Sequence, residues 1–286
     1  MYCNDIIICR EVVKLREKAG VEITAITGDG GKLPLDAQKN TAGVSVLKLL
    51  ESLKSSQGVE IEVHKKMPLG SGLGSSAASA AGSVFAVNQL LNKPYSSKEL
   101  IPFAMEGERV ACGSAHADNV GAALLGGFVL VRSYHPLDII SIPFKVDLYC
   151  TILHPKIEIH TEMARKILPE HISLKQSVSQ SGNCAGLIAG LFQGDASLIS
   201  RCLQDDIVEP VRSKLIPGFH EIKSAAMQSG ALGCSISGSG PSLFALSLDK
   251  EKAEKIAIAM VKAAQSKGQN CDTYISRMNK QGPKIL

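Results

Sequence analysis

The run from residue 68 to residue 78 constrains this chain more than any other segment. It reads Pro68-Leu69-Gly70-Ser71-Gly72-Leu73-Gly74-Ser75-Ser76-Ala77-Ala78. Three glycines at alternate positions allow turns with positive φ, which bring backbone N–H groups close to an anion. The two serines stand where a helix would begin, so hydroxyls, uncapped N–H groups and the helix dipole all favour one negative charge. The run therefore predicts a loop that binds nucleotide phosphates.

Two other phosphate motifs do not fit this run. A Walker A loop requires a lysine after its last glycine, and none follows Gly74. The dinucleotide fingerprint requires G-x-G-x-x-G and an acid about 20 residues on, whereas this run is spaced G-x-G-x-G and residues 88–92 hold no acid. A flexible Gly/Ser linker is the remaining alternative. An Ala-rich helical pattern from Ala77 to Leu91 follows at once, which a linker would not nucleate.

Composition narrows the class of protein. A chain of 286 residues predicts one large domain or two closely joined ones. The net charge of +4 gives no basis for nucleic-acid binding. No apolar run is long enough to span a bilayer, and the N-terminus lacks the apolar region of a signal peptide. The eight cysteines form no C-x-x-C pair. We expect a cytoplasmic protein with reduced cysteines that binds neither nucleic acid nor membranes.

Hydrophobic periodicity predicts an α+β fold. The alternation of Val59, Ile61 and Val63 predicts a strand that leads into the phosphate loop, and a helix follows the loop. Further strands are predicted over 21–27, 127–132, 148–153, 232–237 and 242–247. Further helices are predicted over 41–53, 99–110, 161–168, 174–192, 219–227 and 250–266.

The motif P-x-G-x-G-L-G-S-S-A-A resembles the central motif of the GHMP family of small-molecule kinases. The resemblance implies the GHMP kinase fold. A ribosomal-protein-S5-domain-2-like α+β domain would cover residues 1–146, and a ferredoxin-like α+β domain would cover residues 147–286. It also implies ATP and Mg²⁺ as cofactors, with residues 68–78 on the nucleotide. Asn40, in the segment Asn40-Thr41-Ala42, resembles the position that holds the adenosine, although a helix cap at Asn40 or Thr41 would need no such function.

Glu108 is the candidate metal ligand. Taken alone, a glutamate in a helix is a solvated surface residue. In GHMP kinases a glutamate shortly before the substrate-binding turn ligates Mg²⁺ together with a serine of the phosphate loop, and Glu108 occupies the matching place. The resemblance therefore implies a metal site at Glu108 and Ser76, with Ser75 as the alternative serine. Carboxylate and hydroxyl oxygens suit Mg²⁺, a hard cation that bridges phosphate oxygens.

The segment His116-Ala117-Asp118-Asn119-Val120 points to the substrate. Asp118 can accept a hydrogen bond from an ammonium group, and Asn119 can donate to or accept from a hydroxyl. An Asp/Asn helix cap before Val120 explains the same residues equally well. The pattern H-x-D-N-V resembles the homoserine kinase branch of the family, which implies that His116, Asp118 and Asn119 contact the substrate. Glu108, Asn119 and His116 are the expected catalytic residues, with His116 a proton acceptor by type.

Two arginines and a glycine turn complete the expected substrate site. Thr161 and Arg165 lie four residues apart and hence on one helix face, and Arg212 follows in a later segment. Each arginine alone would be a surface residue. Both match the family pair that binds the substrate carboxylate, a role that suits bidentate guanidinium groups. Gly238 lies in a run that resembles the third GHMP motif, although a simple β-turn explains that run too.

The resemblance implies phosphorylation of L-homoserine by ATP to O-phospho-L-homoserine, a step towards threonine, in a homodimeric enzyme. One alternative is a GHMP kinase for a sugar or an isoprenoid precursor. The other is a catalytically impaired nucleotide-binding protein, because the family's first motif, roughly P-A-x-x-A-N-L-G-P-G-F-D, does not precede Met1. Residues 4–11 resemble the next strand of the N-terminal sheet. We expect the upstream DNA to encode about 20–35 further residues, enough for one strand and a turn.

Overall fold

The computed structural model describes residues 9–159 and 161–286, without the side chains of Cys112, Thr161 and Glu162. Contacts divide the chain into two units. The N-terminal unit contains Gly74–Ser141, Asn279–Leu286 and the described part of Ile7–Leu69, and the C-terminal unit contains Gly70–Leu73 and Ile142–Met278. The predicted domain boundary after residue 146 stays a prediction. The contact-defined units differ from it because residues 70–73 group with the C-terminal unit and residues 279–286 with the N-terminal unit.

Among the described residues of the N-terminal unit, a three-stranded sheet has the order β1-β3-β2 and a two-stranded sheet pairs β4 with β5. The strands are β1 (Cys9–Arg16), β2 (Gly20–Thr27), β3 (Gly58–Lys65), β4 (Phe128–Tyr134) and β5 (Leu137–Ile142). The helices are α1 (Thr41–Ser52), α2 (Ser75–Leu90), α3 (Ile101–Cys112) and α4 (Asp118–Leu125). β3 is antiparallel to β1 and parallel to β2, so α1 provides the crossover that a parallel pair requires.

The core of the N-terminal unit fixes the start of α2. Val59, Ile61 and Val63 of β3 are fully buried, as their alternation predicts. Small residues such as Ala77 and Ala80 line the buried part of α2 and let its neighbours approach its backbone closely. The N-terminus of α2 is thereby held at the end of β3.

The C-terminal unit is built on an antiparallel four-stranded sheet of order β7-β8-β6-β9 within the described residues. Its strands are β6 (Tyr149–Pro155), β7 (Gly233–Ile236), β8 (Leu243–Ser247) and β9 (Cys271–Arg277). Its helices are α5 (Thr161–Lys166), α6 (Leu174–Gln193), α7 (Ala196–Cys202), α8 (Glu209–Arg212), α9 (Phe219–Gln228) and α10 (Lys250–Ser266), with a 3₁₀ turn at Ser213–Leu215. Leu153, Phe219, Ile222, Leu243 and Met260 form the centre of its core.

The α+β prediction is confirmed, and every predicted helix and strand within the described residues is present. β5, β9, α7 and α8 were not predicted from the sequence. The helices among these are short, and β9 (Cys271–Arg277) carries four polar residues within seven, so these three elements produce no strong hydrophobic period. The predicted strand over residues 4–11 is observed at Cys9–Arg16, and residues 4–8 lie outside the described part. In the part of the chain that is described, no helix is both long and apolar enough to cross a membrane.

Candidate active site

The start of α2 presents an anion-binding helix terminus in the N-terminal unit. Gly74 precedes the helix in the left-handed conformation, at φ 75° and ψ 32°, and no described side chain caps it. The N–H groups of the first helical turn have no partner within the helix, and they carry the positive end of its dipole. The Ser75 hydroxyl is buried and has no hydrogen-bond partner among the described residues. The predicted serines therefore begin a helix whose first N–H groups suit a bound anion.

Lys65 supports this helix terminus and was missed by the sequence analysis. It is the last residue of β3 and is only 6% exposed. Its Nζ donates to the Ser75 carbonyl and to the Ser79 hydroxyl, both at 2.7 Å. Burial is the main cause of the lowered pKa of this amine. The sequence could have indicated that Lys65 is buried, because this residue continues the inward-facing alternation of β3.

Glu108 lies in α3 and is buried, at 5% exposure, whereas its neighbour Glu106 pairs with Arg109 on the surface. Burial raises the pKa of the Glu108 carboxyl, a hydrogen bond with Ser76 lowers it, and the charge of Asp118 raises it further. The structure thus brings together the two residues predicted to hold the metal. Glu108 is therefore buried, whereas a glutamate in a helix ordinarily lies on the solvated surface.

The donor set of this cluster fits Mg²⁺. It offers one buried carboxylate, one serine hydroxyl and a second carboxylate close enough to affect the first. Mg²⁺ takes one or two protein carboxylates and fills the rest of its coordination shell with water and substrate phosphates. Among the described residues, no group of three or more His, Cys, Asp and Glu could hold a metal ion. Because Mg²⁺ takes few protein ligands, this cluster suits a Mg²⁺ ion that arrives with a nucleotide.

The three residues of the predicted substrate segment lie around the start of α4. His116 is half-buried in the connection from α3, while Asp118 and Asn119 are exposed in the first turn. The Asp118 carboxylate accepts a hydrogen bond from the Asn119 N–H at 2.7 Å. A Cβ atom on Gly74 would lie 3.3 Å from Asn119 Oδ1, so this amide side chain packs against the residue that precedes α2.

The glycine-rich residues 70–73 pack against the third predicted motif within the C-terminal unit. The Ser237 hydroxyl donates to the Gly72 carbonyl at 2.9 Å, and the Ser242 N–H donates to the Ser71 carbonyl at 3.3 Å. A Cβ on Gly72 would lie 2.3 Å from the Ser237 carbonyl oxygen, which leaves no space for any other residue. Gly72 also has a φ of +76°. Both the conformation and the close approach therefore require glycine.

Arg165 and Arg212 lie near one another in the C-terminal unit. Arg212 Nε donates to the Ala164 carbonyl and Nη1 donates to the Gly238 carbonyl, both at 3.0 Å. Burial lowers the pKa of the Arg212 guanidinium, the charge of Arg165 lowers it further, and Asp205 opposes this. The predicted carboxylate-binding residues and Gly238 are thus assembled from three separate segments. Two neighbouring cations form a site that an anion would stabilise.

Asn40 and Thr161 are the remaining residues of the predicted site. Asn40 is buried and caps α1: its Oδ1 accepts from the Ala42 N–H at 3.0 Å and its Nδ2 donates to the Pro34 carbonyl at 2.9 Å. Both ends of the amide are thus used inside the protein, and its contact with adenosine stays a prediction. Thr161 begins α5, but its side chain lies outside the described part of the structure.

Comparisons with known proteins identify the family. Residues 40–127 match the model for the GHMP kinases N terminal domain, and residues 187–266 match that for GHMP kinases C terminal. A homoserine kinase of Chlorobium phaeobacteroides is 52% identical over 279 residues, covering 95% of this chain and 87% of that protein. A homoserine kinase of Methanococcus vannielii is 36% identical over 263 residues, covering 92% and 84% of the two chains.

Solved structures agree with these relatives. The crystal structure of homoserine kinase from Cytophaga hutchinsonii has a TM-score of 0.94 and 57% identity, and the match covers 97% of this chain and 88% of that chain. The structure of L. major mevalonate kinase in complex with R-mevalonate has a TM-score of 0.70 at 17% identity, over 98% and 87% of the two chains. The second likeness concerns the fold alone.

Proposed function

We propose that this chain, which belongs to the GHMP kinase family and within it to the homoserine kinases, transfers the γ-phosphoryl group of ATP to the hydroxyl of L-homoserine. The products are ADP and O-phospho-L-homoserine. The observation that carries the proposal is the buried Glu108 carboxylate, close enough to Ser76 for that residue to lower its pKa, beside the start of a helix that no described side chain caps. A helix terminus with a metal-binding carboxylate beside it matches the needs of phosphoryl transfer.

The nucleotide phosphates would be bound by backbone N–H groups from Gly70 to Ser76 and by the start of α2. Lys65 stabilises this turn from inside the N-terminal unit. Glu108 and Ser76 would hold Mg²⁺. When bound, that ion neutralises charge on the phosphate oxygens. Because phosphoryl transfer has a loose transition state, these fixed donors and charges would supply most of the catalysis through positioning and electrostatics.

The amino-acid substrate has three groups to recognise: a carboxylate, an ammonium and a hydroxyl. Arg165 and Arg212 would bind the carboxylate, since a planar guanidinium can donate two parallel hydrogen bonds to it. Asp118 would accept from the ammonium group, and Asn119 would orient the hydroxyl for in-line attack. His116 is the side chain whose type suits acceptance of the hydroxyl proton. The expected homodimer and cytoplasmic location stay predictions.

A substrate panel tests the reaction. ADP release would be followed in a coupled assay with L-homoserine, mevalonate, galactose and L-serine at matched concentrations. We expect turnover with homoserine to exceed that with the other three. Preferred turnover of mevalonate or galactose would instead support a kinase for another alcohol, and ATP binding without turnover would support an impaired nucleotide-binding protein.

Substitution of each arginine tests the assignment of the carboxylate site. Arg165→Ala and Arg212→Ala should each lower kcat/KM for homoserine. The expected loss of transition-state stabilisation is about 2–5 kcal/mol, because the partner charge is left unpaired. KM for ATP should stay unchanged. Arg201→Ala is the matched control, since Arg201 lies in α7 and its Nη1 donates to the exposed Ser197 hydroxyl. Equal losses for homoserine and ATP would exclude the assignment.

A further inference from the structure

The helix that carries Arg212 is too short to be stable alone. α8 contains four residues, Glu209–Arg212, and includes a proline in its first turn. Isolated helices of fewer than about 12 residues are marginal in water, because few hydrogen bonds repay the cost of nucleation. The position of Arg212 must therefore be fixed by contacts from outside α8.

One set of contacts holds the N-terminal end of this helix. Asp205 Oδ1 accepts hydrogen bonds from the N–H groups of Ile207 and Val208, at 3.0 and 2.8 Å. Asp205 Oδ2 accepts from the Glu209 N–H at 3.1 Å. These bonds satisfy three donors of the turn and stabilise the start of α8. All three bonds are local, because donors and acceptor lie within four residues of one another in the chain.

A second set of contacts fixes the helix against the core of the C-terminal unit. One oxygen of the Glu209 carboxylate forms an ion pair with Lys223 of α9. The other accepts from the Ser235 hydroxyl of β7 at 2.6 Å. The Glu209 side chain is only 12% exposed, and the Lys223 ammonium also lies over the Phe219 ring, 5.9 Å from its centroid. With an ion pair on one carboxylate oxygen and a hydrogen bond on the other, this part-buried side chain is restricted to one arrangement.

Arg212 follows Glu209 by three residues, so the fixed carboxylate sets the direction from which the guanidinium approaches its partners. Nε and Nη1 donate to the carbonyls of Ala164 and Gly238, which belong to α5 and to the third motif. A guanidinium has five N–H donors, so the donors that remain are available to a carboxylate. Small rotations of α8 would misdirect them.

We propose that Glu209 is a positioning residue for the amino-acid substrate, whose part-buried ion pair with Lys223 and hydrogen bond from Ser235 hold Arg212 in its binding geometry. The inference rests on the proposed function, because it assumes that Arg212 binds the homoserine carboxylate. Glu209 does not touch the substrate. It acts through the helix that it shares with Arg212.

The test is the Glu209→Gln variant, which keeps the shape of the side chain and removes its charge. KM for homoserine should rise at least about tenfold, while KM for ATP stays unchanged. A substitution remote from the reacting atoms that displaces a binding group by about 1 Å can lower activity about a hundredfold. Glu209→Asp, which keeps the charge on a shorter side chain, should recover part of the affinity. Glu221→Gln is the matched control, because Glu221 lies in the same helix as Lys223 but forms an exposed ion pair with Lys267.

The double variant Glu209→Gln/Lys223→Met keeps the inference testable if the single variant does not fold, because it removes both charges of the pair and leaves neither without a partner. It should fold and still show the raised KM for homoserine. Unchanged KM for homoserine in a folded Glu209 variant, or an equal rise for ATP, would overturn the inference. The Arg212→Ala variant separates the two levels: if it too leaves KM for homoserine unchanged, the proposed carboxylate site fails, and if it raises that KM, only the role of Glu209 fails.

Discussion

The two units contain opposite electrostatic arrangements at their proposed binding residues. In the N-terminal unit burial and the charge of Asp118 raise the pKa of Glu108, so the negative form of this carboxyl is disfavoured. In the C-terminal unit burial and the charge of Arg165 lower the pKa of Arg212, so the positive form of this guanidinium is disfavoured. Each arrangement would be relieved by a ligand of opposite charge. The comparison indicates that the surroundings of Glu108 favour a bound cation and those of Arg212 a bound anion.

The largest effect on this comparison is expected from removing the charge of Glu108. We expect Glu108→Gln to lower kcat by about a thousandfold, or about 4 kcal/mol, which is the upper range for loss of one electrostatic group in an active site. The free energy of unfolding should not fall, because the amide avoids the cost of burying a charge.

Turnover at saturating ATP and Mg²⁺, together with urea unfolding, would measure both effects. Glu106→Gln is the control on the same helix, since Glu106 pairs with the exposed Arg109. A Glu108→Gln enzyme with near-normal turnover would place the metal ligand elsewhere.

Glu11 carries a second buried carboxyl group in the N-terminal unit, and we assign no ligand to it. Burial raises its pKa from 4.5 to about 7, and hydrogen bonding with Ser79 and the charge of Lys65 oppose this. Between these pH values the folded state keeps a proton that the unfolded state has lost, so stability falls as the pH rises through this window. At about 1.4 kcal/mol per pH unit, the loss reaches about 3 kcal/mol above pH 7.

Glu11→Gln removes this pH dependence and should gain stability over the unsubstituted chain as the pH rises from 4.5 to 8. Urea unfolding of both proteins at pH 4.5, 6 and 8 would measure the difference. A difference that is the same at all three values would show that Glu11 does not titrate in this window. The result would show how much folding stability a buried carboxylate costs where no metal-binding role is assigned to it, in contrast to Glu108.

Gly72→Ala tests the close approach of two loops in the C-terminal unit. The added Cβ would lie 2.3 Å from the Ser237 carbonyl oxygen, so we expect a loss of stability about 1–3 kcal/mol larger than positive φ alone causes. Gly31→Ala supplies that baseline, because Gly31 has a similar φ, +74°, and nothing lies within 4 Å of its added Cβ. Thermal unfolding would compare them. Equal losses in the two variants would show that the loops can move apart.

Arg165→Lys has the smallest expected effect. It distinguishes the contribution of positive charge from that of guanidinium geometry at the proposed carboxylate site. The lysine keeps the positive charge but not the planar pair of donors. We expect kcat/KM for homoserine to fall about tenfold, or about 1.4 kcal/mol, with KM for ATP unchanged. Steady-state kinetics would decide. If the lysine enzyme matched the arginine enzyme, charge alone would account for the interaction.

The sequence allowed more to be predicted for the N-terminal unit than for the C-terminal unit. The run from residue 68 to residue 78 contains turn, helix start and donors in one segment, so local rules were enough to place α2. The Glu108–Ser76 pair and the two arginines were identified only through family resemblance, because no local pattern shows which distant residues meet. Glu209 gave no signal, since its partners Lys223 and Ser235 come from elements that only the fold brings together.

The last eight residues of this sequence pack with the N-terminal unit, although the whole of the C-terminal unit precedes them in the chain. The Gly127 N–H donates to the Asn279 carbonyl at 2.8 Å, and a Cβ on Gly282 would lie 2.1 Å from the Leu124 carbonyl oxygen. During synthesis, which proceeds from the N-terminus, the α4–β4 region is therefore made long before the segment that covers it. The N-terminal unit can complete its packing only after the ribosome has translated past residue 279.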